Sequence, residues 1–323
     1  MSLNFRVQLY CLLLVFSALK GEGRYLHENE VTAEGLFSLL NSEVKRELSK
    51  DFIYRRPLRC LDMLSMEGQF SFSALRPQLN CAVYLIFEPS EVISVEFSSV
   101  DIDCSRGDFL KVFDGWFLKG EMFPSSEDHA LPLSERYAEF CDSGVLRRTV
   151  RSSQNVAMIF FRIHSPESGF TVTVKKLSNP FPCNIISQTR EGRFTMVIPH
   201  QHTNCSFSII YPVEIQIQEL TLGRLDSNDT PAKRSAPGCG GAGDFVELLG
   251  GNGVDPSKMF PVADLCYSLS GPAQLKVGCD SAVMRLVSSG KFINRVTFQY
   301  RPLDRHELQT LKGNHVEDFC FIE

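Results

Sequence analysis

Hydrophobic and polar residues alternate in several runs of the chain that follows residue 60. The clearest runs cover residues 93–97, 170–174, 213–217 and 296–300, where every second position is apolar. A period of two is typical of antiparallel strands that bury one face and expose the other to water. Many such strands separated by turn residues predict an all-β fold made of antiparallel β-sandwiches of the jelly-roll type.

Residues 32–49 follow a different pattern, in which apolar side chains recur every fourth position. These positions are Leu36, Leu40, Val44 and Leu48. That spacing places them on one face of a helix, so an amphipathic helix is predicted within an N-terminal segment of residues 25–59. Two interpretations stay open: the helix packs on the first domain, or it serves as a lid or partner-binding arm.

The first 24 residues have the composition of a signal peptide. Arg6 gives the start of the chain a positive charge, and residues 9–19 form an apolar run. That run is too short to span a bilayer comfortably, and small residues follow it where cleavage would occur. A signal anchor is the alternative interpretation. We therefore expect a secreted, extracellular chain without membrane insertion.

One short motif occurs twice in the chain. Residues 107–115 read GDFLKVFDG, and residues 243–251 read GDFVELLGG. A second pair of similar strings, EGQFSF at 67–72 and EGRFTM at 191–196, comes earlier in each half. The repetition predicts two copies of one domain, each large enough for its own core.

Cysteines occur in the same order in both halves. The chain has 11, and removal of a signal peptide containing Cys11 would leave ten. An even number of cysteines in an exported chain predicts disulfides. Each half carries four cysteines in matching order, and the second half has two additional cysteines, Cys279 and Cys320. The simplest pairing joins neighbours: Cys60–Cys81, Cys104–Cys141, Cys183–Cys205, Cys239–Cys266 and Cys279–Cys320.

These patterns divide the chain into segments. The first domain is predicted at residues 60–177 and the second at residues 183–323, with a proline-containing junction between them. The second domain contains a turn-rich insertion at 223–243, and a C-terminal segment that Cys320 ties back. The expected fold is a pair of β-sandwiches, each stapled by disulfides.

Charge and motifs narrow the function. The net charge of −5 provides no case for nucleic-acid binding, which needs a basic surface. Neither G-x-S-x-G nor H-E-x-x-H occurs. The string GCGGAG at 238–243 matches a dinucleotide-binding motif only formally, because a predicted strand follows it where a helix is needed. We predict a binding protein and not an enzyme.

The cysteine order and the repeated turn resemble the CUB domain family. The first half fits best, whereas the second half has the insertion and carries Gly250 at the position of the turn aspartate. Many CUB domains bind calcium through acidic residues near the third cysteine. Here those positions hold Ser99 and Gly107, with Asp108 one step late. Calcium requires several convergent oxygen ligands, so we predict no metal and no cofactor.

Longer strings resemble the corticotropin-releasing factor-binding protein family. They include YRRPLRCLDML at 54–64, SSQNVAMIFFR at 152–162 and NRVTFQYR at 294–301, and the similarity covers residues 54–323. The resemblance implies a secreted protein that sequesters corticotropin-releasing factor and related urocortin- or urotensin-type peptide hormones, which limits receptor activation. The alternative is an extracellular CUB-domain adaptor that binds a protein or matrix partner.

Within that family, residues 54–64 are the natural place for peptide contacts. An amphipathic peptide is best held by an apolar groove in which a few charges fix its register, and arginine is favoured at interfaces. We therefore select Arg56 and Asp62 as ligand-binding residues; the alternative is a solvated, basic strand start. Asn204 in NCS and Asn228 in NDT are predicted glycosylation sites.

Overall fold

A computed structural model describes residues 53–144, 148–166, 168–223, 239, 243–266, 273–311 and 320. The predicted signal peptide, the predicted helix at 32–49, Asn228 and most of the insertion at 223–243 lie outside the described residues. One compact unit begins at Ile53 and contains two β-sandwiches.

The first sandwich consists of two facing sheets and a small hairpin. Its strands are β1 (Arg55–Pro57), β2 (Leu61–Leu64), β3 (Gly68–Ser73), β4 (Gln78–Ile86), β5 (Glu91–Ile102), β6 (Phe109–Phe113), β7 (Trp116–Leu118), β8 (Glu121–Phe123), β9 (Tyr137–Phe140), β10 (Asp142–Gly144), β11 (Thr149–Arg151), β12 (Val156–Ile163) and β13 (Gly169–Ser178). One sheet has the order β1-β3-β13-β5-β10, with β11 also paired to β5, and the other has the order β2-β4-β12-β6-β9. β7 and β8 form the hairpin. The core lies between the sheets, where Phe70, Phe97 and Phe161 are fully buried.

The second sandwich repeats this arrangement with fewer strands. Its strands are β14 (Ile185–Ser187), β15 (Gly192–Pro199), β16 (His202–Ile209), β17 (Val213–Thr221), β18 (Phe245–Gly251), β19 (Phe260–Leu265), β20 (Ala273–Val277), β21 (Ser281–Ser289) and β22 (Ile293–Pro302). The sheet orders are β14-β16-β21-β18-β19 and β15-β22-β17-β20. A short helix, α1 (Arg305–Leu311), follows β22. No helix in the described part of the chain is long and apolar enough to cross a membrane.

The predicted all-β fold of two sandwiches, each stapled by its own disulfides, is confirmed, with two differences in detail. Among the described strands, the pairs β1–β3, β2–β4 and β14–β16 are parallel, whereas the sequence predicts antiparallel pairing. In addition, β1 precedes the domain start predicted at residue 60. It belongs to the first sandwich because it pairs with β3, and because Leu58, which directly follows it, is buried and donates its N–H to Ser71 O at 2.7 Å. A strand of three residues is too short to show a period of two.

Disulfides join the described cysteines in five neighbouring pairs. These are Cys60–Cys81, Cys104–Cys141, Cys183–Cys205, Cys239–Cys266 and Cys279–Cys320. Every pair lies within one half of the chain, as the repeat predicts. The first of them attaches the start of β2 to β4, so the edge strand of the five-stranded sheet is covalently tied to its neighbour.

The two sandwiches meet at a small apolar cluster. Trp116, Phe123 and Val156 of the first sandwich pack with Ile186 and Val254 of the second, and all five are buried. The cluster covers part of the outer face of the first sandwich's five-stranded sheet. The part of that face next to β2 stays open to solvent.

Candidate functional site

β2 is the exposed edge of the first five-stranded sheet. Its side chains alternate between solvent and core: Leu61 is 72% exposed and Met63 56% exposed, while Leu64 is buried. Cys60 anchors the strand at one end through its disulfide. Neighbouring apolar side chains that are exposed on an anchored strand indicate an interaction surface.

A groove of about 480 Å³ lies beside these side chains. Its lining residues are Arg59, Leu61, Asp62, Met63, Tyr84, Trp116 and Leu118. The Trp116 indole N–H donates to Leu85 O and Ala157 O, both at 3.0 Å. The Tyr84 hydroxyl donates to Phe117 O at 2.8 Å, and burial raises the pKa of that hydroxyl. Both aromatic rings are therefore fixed in place, and little ordering is needed when a ligand binds.

Arg56 and Asp62 form one ion pair at the rim of the groove. The Arg56 guanidinium donates to both carboxylate oxygens of Asp62, at 2.6 and 2.9 Å. The backbone N–H groups of Arg59 and Met63 also donate to this carboxylate, at 3.1 and 2.9 Å. These hydrogen bonds, with the one from Arg56 as the largest cause, lower the pKa of Asp62 to about 2.

The ion pair connects the two sheets of the first sandwich. Arg56 lies on β1 in one sheet, and Asp62 lies on β2 in the other. The carboxylate also accepts hydrogen bonds from the Met63 N–H of the edge strand, which would otherwise be available to an incoming strand, and from the Arg59 N–H just before that strand. A charged group at this place protects a sheet edge from strand addition, so the apolar side chains of β2 are left as its contact surface.

Sequence reasoning located one side of the groove. The structure places Asp62 in the groove lining and Arg56 behind it, bonded to Asp62 and stacked 5.6 Å above the Phe70 ring. The sequence did not predict the opposite wall of the groove, because Tyr84 and Trp116 come from distant segments of the chain. One signal was available: Trp116 is the single tryptophan in the sequence and directly follows the repeated turn.

The open sheet face continues from the groove as a set of aromatic and basic side chains. Phe109 and Phe160 pack with ring centroids 5.0 Å apart. The Lys111 ammonium lies 4.8 Å from the Tyr137 ring centroid, and the Arg162 guanidinium lies 5.3 Å from that of Phe109. Such cation–aromatic contacts hold charged heads over an apolar floor.

Asp108, which lies near the calcium-ligand position of the CUB resemblance, has a local structural partner. Its Oδ1 accepts a hydrogen bond from the backbone N–H of His164 at 2.9 Å and lies 2.7 Å from the His164 Nδ1. Among the residues that the structure describes, no group of three or more histidine, cysteine, aspartate or glutamate side chains is arranged for a metal ion. The Asp108 carboxylate ties the turn before β6 to the loop after β12.

Asn204 lies half-buried on β16. The serine of its N-C-S motif, Ser206, is fully buried and donates to Asp128 Oδ2 of the first sandwich at 2.9 Å. The hydroxyl of this glycosylation motif is therefore enclosed in the folded chain.

The fold and the groove together point to a binding protein built from two β-sandwiches, each of which is closed by its own disulfides. Comparison with protein families shows which kind of binding protein it is. The corticotropin-releasing factor binding protein N-terminal domain matches residues 52–178, and the C-terminal domain of the same family matches residues 185–309. The chain belongs to the corticotropin-releasing factor-binding protein family.

Relatives are similar over nearly the whole length. The human corticotropin-releasing factor-binding protein is 60% identical over 320 residues, which cover 99% of both chains. The Xenopus laevis protein of the same name is 61% identical over 314 residues, which cover 97% of both chains. Among solved structures, the CUB1-EGF-CUB2 domain of human MASP-1/3 is 13% identical, with coverage of 73% of this chain and 99% of that chain and a TM-score of 0.27.

Proposed function

We propose that this protein captures corticotropin-releasing factor and related urocortin-type peptides in the groove beside β2. Family membership supports the ligand class, since the curated relatives carry that ligand in their names. The observation that carries the location is the exposure of Leu61 and Met63 next to a rigid aromatic wall. An amphipathic helix laid on such a surface would bury its apolar face.

The proposed mechanism is sequestration without catalysis. A peptide whose apolar face is buried against the groove cannot present that face to a receptor. By mass action, the free peptide concentration falls once the binder exceeds both the peptide concentration and the Kd. No bond in the peptide is made or broken in this mechanism, so the peptide is released intact.

Arg56 and Asp62 act in this proposal by positioning the edge strand. The Asp62 side chain is buried, and its carboxylate already accepts hydrogen bonds from the Arg56 guanidinium and from the backbone N–H groups of Arg59 and Met63, which limits its direct contact with a ligand. Loss of the ion pair would release β1 from β2 and allow Leu61 and Met63 to shift. Their substitution should therefore weaken peptide binding indirectly.

The same proposal includes export and processing. Five disulfides are consistent with an oxidising compartment, so we take residues 1–24 as a signal peptide and the mature chain as secreted. Residues 60–177, extended by β1, and residues 183–323 are the two domains. Asn204 and Asn228 are proposed glycosylation sites, and the enclosed Ser206 implies that Asn204 is modified before the sandwiches close on it.

A titration of fluorescein-labelled corticotropin-releasing factor, followed by anisotropy, tests the proposal. The wild-type protein should show saturable binding, and Met63→Glu should weaken it at least about tenfold, because a charge would be buried against the apolar face of the peptide. The matched control is Leu75→Glu, which alters a leucine that is 94% exposed outside the groove. Equal affinities for the two variants would contradict the location, and no saturable binding by the wild type would contradict the function.

A further inference from the structure

We propose that the peptide-binding surface extends from the groove across the open sheet face to Lys111, and that it takes an apolar segment carrying a carboxylate. This inference rests on the function proposed above and specifies the chemistry of the ligand. The two sandwiches carry equivalent surfaces on their five-stranded sheets, and the surface is covered in the second sandwich and open in the first.

The two surfaces correspond residue by residue. Met63 lies three residues after Cys60 and pairs with Tyr84, three residues after Cys81. Ile186 lies three residues after Cys183 and pairs with Ser208, three residues after Cys205. The parallel edge strands β2 and β14 therefore have the same register in both sandwiches.

The correspondence continues across each five-stranded sheet. In the first sandwich, one row of paired residues runs from Leu61 through Ala82 and Phe160 to Lys111. In the second sandwich, Ser206, Arg285 and Glu247 form the matching row. Ala82 and Ser206 each follow the second cysteine of their half directly, which fixes the alignment of the rows.

The second sandwich's copy is covered by the first sandwich. Ile186, the counterpart of Met63, is fully buried in the apolar cluster. The Asn155 side chain pairs with the backbone of this edge strand, donating to Ile186 O at 2.8 Å and accepting from Ile186 N–H at 3.2 Å. An apolar group and an amide thus cover the edge strand of this copy.

A carboxylate covers the rest of that copy. Asp128 Oδ2 accepts a hydrogen bond from Ser206 at 2.9 Å, and Asp128 Oδ1 accepts two from Arg285, at 2.6 and 2.9 Å. The occupant of the covered surface therefore combines apolar side chains at the edge strand with an acid further along the row.

The open surface of the first sandwich complements a similar ligand, whose acidic group would lie one strand further along the row. Phe160 stands where the second sandwich has Arg285, which extends the apolar part of the surface by one strand. Lys111 stands where the second sandwich has Glu247, so a cation follows on the next strand. A ligand with apolar groups over Met63 and Phe160 and a carboxylate near Lys111 complements this arrangement.

Charge around Lys111 supports an acidic ligand. The Lys111 ammonium has Glu139 as a neighbouring acid at 3.7 Å, a partly exposed pair that contributes little. Arg162 lies on the same face, and Arg59 lines the groove. Arg59, Lys111 and the Arg56–Asp62 ion pair lie along this surface with Glu139, so these groups together carry a net positive charge, which favours a partner with negative charge.

The test compares two charge reversals in the same sandwich. Lys111→Glu changes the proposed surface, and Lys175→Glu is the control, because Lys175 forms an equally loose pair with Glu96 at 3.8 Å on the other sheet. The probe is fluorescein-labelled corticotropin-releasing factor, titrated at low and at high salt. Matching thermal unfolding curves for both variants would show that they are folded.

We expect Lys111→Glu to weaken binding by about tenfold at low salt and to reduce its salt dependence, while Lys175→Glu binds like the wild type. If Met63→Glu weakens binding but Lys111→Glu does not, the extension is wrong and the groove remains. If the wild type does not bind, the proposed function itself fails. A dimer in sedimentation velocity that both Met63→Glu and Lys111→Glu convert to monomer would make a second copy the occupant and overturn the inference.

Discussion

At the scale of single residues, Asp62 organises the surface beside β2 from a buried position. Its carboxylate accepts two hydrogen bonds from the Arg56 guanidinium and two from the backbone N–H groups of Arg59 and Met63. The exposed Met63 is held through its backbone N–H by the buried Asp62 carboxylate. The orientation of this apolar contact residue therefore depends on a charge that lies largely out of reach of the ligand.

Replacement of Asp62 by asparagine keeps the side-chain size and removes the charge. We expect Asp62→Asn to lower the free energy of unfolding by about 1–3 kcal/mol, because the Arg56 guanidinium loses its charged acceptor. Urea denaturation followed by intrinsic fluorescence measures this change. Glu96→Gln, which removes the looser and more exposed pair with Lys175, is the control and should have a smaller effect. Equal losses in the two variants would contradict the role given to the ion pair.

The lowered pKa of Asp62 predicts that the stability of the fold depends on pH. The pKa of Asp62 is about 2 in the folded chain, compared with an ordinary value of 3.8. The unfolded chain therefore binds a proton at a higher pH than the folded chain. The stabilisation by Asp62 is fully present above pH values of about 4, and it declines as the pH falls toward about 2. The difference in stability between wild type and Asp62→Asn should shrink over this window; a constant difference would show that the charge is unimportant.

At the scale of elements, the β7–β8 hairpin forms the wall of the groove opposite β2. Trp116→Phe would keep an aromatic ring and remove the N–H that bonds to Leu85 O and Ala157 O. We expect peptide affinity to fall several-fold and stability to fall by about 1–2 kcal/mol. Anisotropy titration and urea denaturation measure the two effects. Unchanged affinity would mean that the hairpin does not take part in the site.

The elements also show what the sequence can and cannot predict. The long strands could be predicted because period two persists in stretches such as 93–97 and 213–217, where apolar side chains face the core and polar side chains alternate with them, although Ser94 and Glu214 are themselves buried. β1, with three residues, is too short to show a period. The groove could be predicted only on its β2 side, because its other wall depends on how a distant hairpin folds back over β4.

At the scale of the whole molecule, the two sandwiches are joined by buried polar contacts as well as by the apolar cluster. Arg285 of the second sandwich donates to Asp128 of the first, and the Asp128 side chain is completely buried. Asn155 donates to both Phe87 O and Ile186 O, at 2.9 and 2.8 Å, so one amide bonds to both sandwiches. Buried polar groups of this kind are costly to leave without partners.

Loss of the Asp128 charge should therefore uncouple the sandwiches. We expect calorimetry of the wild type to show one unfolding transition, and Asp128→Asn to separate it into two as the interface loses about 3–5 kcal/mol. Glu127→Gln is the matched control, since Glu127 reaches the same arginine at 3.3 Å from an exposed position. Two transitions in the wild type, or the same separation in the control, would contradict this account of the interface.

The central claim is that the open sheet face of the first sandwich, beginning at β2, holds the peptide. Hydrogen exchange with and without corticotropin-releasing factor, followed by mass spectrometry, tests it most directly. The account predicts that the peptide slows exchange in segments 59–64, 80–86 and 109–118, while segment 213–221 of the second sandwich is unchanged. Protection confined to the second sandwich would contradict the claim.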